Sequence, residues 1–247
     1  MNHIDIQPHH GWFDSTIEDF CDLVCPHFGL SVGYKEVAFS GFWSQGDGAS
    51  FKGNFYLSDV VPSDLKAAYP TAVELHNLVE ELAELAKEHP EIQGKVSRMS
   101  SLYSHANTMV IGDWSSNDGY HNEDTEAFLA ADAETPLLCI FRDLANWLYR
   151  RLSSEYDFCL ADETARQWSE AIEERKSLQV EFVQLQVDVA ENPPQSKVQA
   201  GALTAAIAAM EVEIETLTSK IDQLSGQFRY RTEDGPLTIG QFYEDYF

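Results

Sequence analysis

The feature that most restricts this chain is a run of apolar residues spaced four and three apart. Leu203, Ile207, Met210, Ile214, Leu217, Ile221 and Leu224 keep that alternation, which is the a/d seam along which two helices wind together. Leu178, Phe182, Leu185 and Val189 show it too, and Asn192-Pro193-Pro194 separates the two runs. Proline has no amide hydrogen and clashes with the preceding turn, so the helix must stop there and the chain reverse. The spacing predicts an antiparallel coiled-coil hairpin over residues 161–226, projecting from a globular body, its helices each ~40 Å long at 1.5 Å per residue. Ala205, Ala206, Ala208 and Ala209 allow close helix approach. Such an arm serves either as self-contained structure or as a surface for a homodimer or another partner.

Charge is the second constraint. The 247 residues carry 41 acidic and 16 basic side chains, a formal net charge of -25. The excess is spread: -10, -6, -7 and -2 over residues 1–90, 91–157, 158–226 and 227–247. Proteins grip nucleic acid by neutralising phosphates with Lys and Arg, so direct nucleic-acid binding is disfavoured. The acidity serves solubility, or it presents a surface to a basic partner. With 44% hydrophobic residues the chain can fill a core. It has no apolar run of about 18 residues that would span a membrane. Met1 to His10 is polar and lacks the apolar centre of a secretory leader. With four scattered cysteines this points to a reducing cytoplasm and buried free thiols. Cys21, Cys25 and His27 lie close in sequence, but no second Cys or His pair completes a zinc tetrad. No metal and no cofactor is expected.

Within residues 1–160 the pattern predicts an α+β domain, a small antiparallel meander sheet packed by helices. Val37–Tyr56 reads as a β-hairpin: Val37, Phe39, Phe42 and Trp43 on one arm and Phe51, Phe55 and Tyr56 on the other suit a pleated, half-buried surface. Ser44-Gln45-Gly46-Asp47-Gly48 supplies the turn. A second hairpin is expected from residues 95–114, and pairing with the first would give about four strands. Helices are expected at residues 14–28 with Asp-Ser-Thr as caps, from Pro62, at 71–89, and from Pro136 to about Tyr156. Residues 227–247 return to the globular domain with Phe228 and Tyr230 as a last strand and an aromatic, acidic end.

Two sets of residues are candidates for function. In the helix at 71–89, Leu75, Leu78, Val79, Leu82 and Leu85 form the apolar stripe, leaving Glu80, Glu81, Glu84 and Glu88 outside. With Glu170, Glu173 and Glu174 they are the expected contacts for a partner. The other set is catalytic: Asp47 in the 45–48 turn with Asp113, Asp118 and His121 in the 113–121 loop, His121 as general base and the aspartates holding a metal or substrate. That reading needs the two loops to be adjacent. Asn-Asp-Gly is otherwise ordinary turn chemistry. Arg142, Arg150 and Arg151 are expected to pair with carboxylates rather than bind an external anion.

SGFWSQGDGASFKG at residues 40–53, LHNLVEELAEL at 75–85 and RDLANWLYRRLSSEYDF at 142–158 resemble a family of small bacteriophage and prophage proteins, some labelled antitoxin of a toxin–antitoxin system. The likeness covers residues 10–172, resumes at 228–235, and departs over 173–226, where the hairpin looks inserted. It implies a phage setting in a bacterial host cytoplasm and brings no catalytic residues. Joined to the charge, it leads to the expectation of a non-enzymatic, DNA-mimic-like acidic protein that binds and inhibits a host protein with a basic surface, in the manner of an anti-defence factor or antitoxin. A hydrolase-like enzyme at the two loops and an assembly protein oligomerising through the coiled coil are the alternatives.

Overall fold

The computed structural model describes residues 10–42, 46–99, 104–112, 136–232 and 235–246. They form an α+β protein with two compact units, one at His10–Glu155 and the other containing Tyr156–Phe247.

The first unit opens with helical turns: a 3-10 turn at His10–Phe13, helix α1 at Asp14–Asp19, a π turn at Phe20–Val24 and a 3-10 turn at Cys25–His27. The helical spacing is honoured, because Ile17, Phe20, Cys21, Val24 and Phe28 are all buried. The expected cap is not: Phe13 precedes α1 and no side chain caps it. Asp14 instead accepts a hydrogen bond from the Tyr34 hydroxyl. Then follow β1 (Phe28–Ser31), β2 (Val37–Ser40), β3 (Gly48–Phe51), β4 (Gly53–Val60), α2 (Pro62–Ala68), α3 (Val73–Glu88), β5 (Gln93–Arg98) and β6 (Met109–Gly112).

The expected first hairpin exists, with Val37 opposite Phe51 and Ser40 opposite Gly48, but it stands as its own two-stranded ribbon. The four-stranded antiparallel sheet has the order β1-β4-β5-β6. Its first strand begins where the spacing predicts the end of a helix, since Phe28 fits the helical spacing that precedes it. The chain changes sheets at Lys52, whose amide donates to the Glu36 carbonyl at 3.1 Å. Phe51 and Phe55, expected in one strand, therefore belong to different sheets. Helix α4 (Pro136–Glu191) ties these together. Its Phe141 ring centre lies 6.5 Å from that of Phe51 in the ribbon and 5.6 Å from that of Phe55 in the sheet, and all three side chains are fully buried. Each such burial stabilises by roughly 1.5–3 kcal/mol relative to exposure.

The sequence predicts one helix over residues 136–156 and another from 161, whereas α4 is unbroken. No Gly or Pro occurs between Leu137 and Glu191 to end it. In the second unit α4 is followed, after a short link, by α5 (Lys197–Gln227). Ser196 starts α5 by accepting from the Gln199 amide at 3.2 Å, and the Gln199 side chain accepts from the Gln195 amide at 3.0 Å, a variant of the capping box. Ala171 packs with Leu217 and Ile221, flanked by Trp168, Ile172 and Leu178. Ala171 and Leu217 are equally distant in sequence from Pro194, as an antiparallel return requires, so the two long helices do pack together. The last strands, β7 (Tyr230–Thr232) and β8 (Gly235–Leu237), pair with each other. They and α6 (Ile239–Tyr246) fold back on α4, where Phe228, Ile239 and Phe242 bury against Ala161 and Ala165. Phe242 is fully buried, with rings of Phe158, Phe228, Tyr230 and Tyr246 around it.

Candidate functional site

Helix α3 lays Leu75, Leu78, Val79 and Leu82 into the core of the first unit, while Leu85 is half-buried. Its remaining positions are free to face water, and Glu74, Glu80, Glu81, Glu84 and Glu88 are all exposed. Beside it, the end of β4 and the start of α2 leave an open groove of about 690 Å³. Leu57, Val60, Pro62, Ala83 and Ala86 supply apolar lining; Glu80, Glu81, Glu84 and Lys87 supply charge. Acidic side chains and apolar surface thus meet in one concavity.

The charges around it are partly compensated. Glu80 pairs with Lys66 and Glu74 with Arg150; Lys87 reaches Glu84 at 2.5 Å. The hydrogen bond from Lys66, with its charge, lowers the Glu80 carboxyl below its usual range. These pairs are exposed to water, and exposed pairs contribute little and exchange partners readily. Glu81 and Glu88 make no ion pair among the described residues. Of these two carboxylates, Glu81 lines the groove and Glu88 lies about two turns further along.

Glu170, Glu173 and Glu174 lie on α4 in the second unit. Arg166 bridges Glu163 at 2.7 Å and Glu170 at 2.5 Å, and Lys176 pairs with Glu173 at 2.7 Å. Glu174 makes no ion pair among the described residues. Of the seven glutamates read from the sequence as contacts, Glu80, Glu81 and Glu84 are brought together by the groove.

The alternative catalytic set is only partly visible. Asp113, Asp118 and His121 lie outside the described residues; Asp47 stands at the end of the β2–β3 ribbon. A Cβ on Gly41 would come within 2.6 Å of the Asp47 carboxylate, and one on Gly48 within 2.9 Å of the His105 ring. Gly41 and Gly48, two of the four glycines in the motif, thus serve close packing. The Tyr149 hydroxyl donates to the Gly41 carbonyl at 3.1 Å, and its ring stacks on Phe42 with centres 5.5 Å apart. Burial, and then the Asp47 charge, push the Tyr149 hydroxyl above its usual range. The Asn107 amide donates to His105 Nδ1 at 3.0 Å, which puts the proton of the neutral ring on Nε2. His105 and Tyr149 were not singled out from the sequence, because each reaches the ribbon from a distant segment.

Among the described residues no group of three or more His, Cys, Asp or Glu side chains is arranged to hold a metal ion. Burial, with Asp22 nearby, pushes the Cys21 thiol up to about 11, and burial raises Cys25 well above its usual range. Both are held away from the thiolate form that binds metals. Among the described residues no helix is long and apolar enough to cross a membrane.

Comparison with curated proteins gave no match, and neither did comparison with solved structures. Residues 12–162, which carry the ribbon, the sheet, the groove and the first half of α4, match a family described as a domain of unknown function, DUF8835, and the chain belongs to that family.

Proposed function

We propose that this chain is a non-enzymatic binding protein whose acidic groove receives a basic surface of a host protein and so inhibits it. The observation that carries the reading is the groove itself, where Glu81, without an ion pair among the described residues, and the exchangeable Glu80 and Glu84 border apolar lining. Apolar contact supplies affinity, and the carboxylates select for Lys and Arg and speed encounter. The resemblance to phage and prophage proteins supports a partner in the bacterial cytoplasm, and the net charge of -25 favours one whose own surface is basic, such as a protein that handles nucleic acid.

Magnitudes favour local docking over imitation of a long DNA segment by this helix. Helix α3 carries five glutamates and one lysine along ~24 Å, whereas duplex DNA of that length carries about 14 charges. The net charge on α3 is under a third of that. Binding should therefore depend on Glu80, Glu81 and Glu84 in particular. The test is affinity for a basic protein partner between about 50 and 300 mM salt, where screening tightens from ~14 to ~6 Å. A steep loss with salt, together with weaker binding and a flatter salt dependence in Glu81→Lys, supports the reading; salt-independent binding contradicts it.

A second reading has its own support. From Ile172 to Thr216 no residue of the helical pair is buried, and Phe182, Leu185, Ile207, Met210 and Ile214 are only half-covered. A seam left half-open favours self-association through this arm. Sedimentation at micromolar concentration tests it: a monomer counts against it.

A further inference from the structure

We infer that the groove takes its partner as an extended strand, with Lys or Arg at alternate positions, added to the open edge of β4. The inference rests on the reading of the groove as the site for a basic partner and specifies the partner's conformation and residue pattern. The sheet provides the edge. Pairing between β4 and β5 runs from Gly53↔Val96 to Tyr56↔Gln93 and ends with the Leu57 amide donating to the Ile92 carbonyl at 3.0 Å. On its other side β4 pairs with β1 at Leu30↔Phe55 and again at Phe28↔Val60, with the register shifting between the two. Among the described residues Ser58–Val60 consequently has no strand partner on the β5 side. Extending the β5 register would put Pro90 opposite Asp59, and proline has no amide hydrogen to donate to a ladder. Ser58, Val60 and Pro90 all line the groove, so the unpaired edge opens into it.

The spacing of charges fits the same occupant. Glu80 and Glu84 are one helical turn apart, ~6 Å along the axis. Residues i and i+2 of a strand point the same way and are ~6.6–6.8 Å apart. Basic side chains at alternate positions therefore meet the two glutamates in step, while the intervening side chains face away from them. Strand addition supplies main-chain hydrogen bonds for affinity and leaves side-chain recognition to the groove. A second copy of this chain is a poor occupant, because its corresponding edge brings Asp59 and the same glutamates against their own charge.

The test uses the full chain and three synthetic peptides of equal charge: one alternating Lys and Val, the same peptide N-methylated on one edge, and an Ala-Lys peptide that forms a helix. The alternating peptide should bind, the N-methylated peptide about tenfold more weakly, and the helical peptide no better than that. Equal affinity of methylated and unmethylated peptides, or preference for the helical one, overturns strand addition while leaving the groove as a basic-partner site. Binding of none of the three overturns both. Dimers of the chain that the alternating peptide dissociates would make a second copy the occupant, and that also overturns the inference.

Discussion

The two units bury their apolar residues in different ways. In His10–Glu155, helix, ribbon and sheet converge, and Phe20, Phe28, Phe51, Phe55 and Phe141 are at most 1% exposed. In the helical pair, burial ends at Ala171 on α4 and resumes only at Leu217 on α5. Between them the heptad positions are half-covered. Regular spacing secures the register of two helices, but depth of burial needs a third layer. The difference also separates concavity from periodicity: the groove lies where α3 meets the end of β4, and the arm offers only its seam.

The most severe way to break the first unit is Phe141→Ala, which removes the ring shared by ribbon and sheet. It should cost about 3–5 kcal/mol in urea denaturation. In the arm, Ile221→Ala at the base should cost about 2–4 kcal/mol and Ile207→Ala toward the tip about 1 kcal/mol or less, because less packing is lost. Equal costs would show that the tip is covered in solution, as self-association requires. Amide exchange sharpens the same contrast: residues 178–212 should exchange sooner than residues 137–171. Ser196→Ala removes the cap of α5 and should lower stability by about 1 kcal/mol.

How much of this was legible depended on whether the cause was local. The seam from Leu203 to Leu224 and the turn at Gly46-Asp47-Gly48 are written in neighbouring residues, and the helical pair and the hairpin both follow from them. The switch of sheets at Lys52 is not, since Phe51 and Phe55 have the same apolar character and differ only in their tertiary partners. Strand β1 was hidden because Phe28 continues a helical spacing. At the site, the exposed Glu80, Glu81 and Glu84 follow from the stripe of α3. The apolar lining from Leu57, Val60 and Ala83 arises only when strand and helix come together, and periodicity within either one does not reveal it.

The central claim is that recognition belongs to the groove and not to acidity in general. The most direct test compares two variants with the same change of net charge, Glu81→Lys with Glu84→Lys in the groove and Glu173→Lys with Glu174→Lys on α4. Each is titrated with the alternating basic peptide at about 50 mM salt, where surface charges are weakly screened. The groove variant should lose tenfold or more in affinity, and the α4 variant should stay within about twofold of the original protein. Equal losses would mean that only the total charge matters, and a larger loss from the α4 variant would move the site to the other unit.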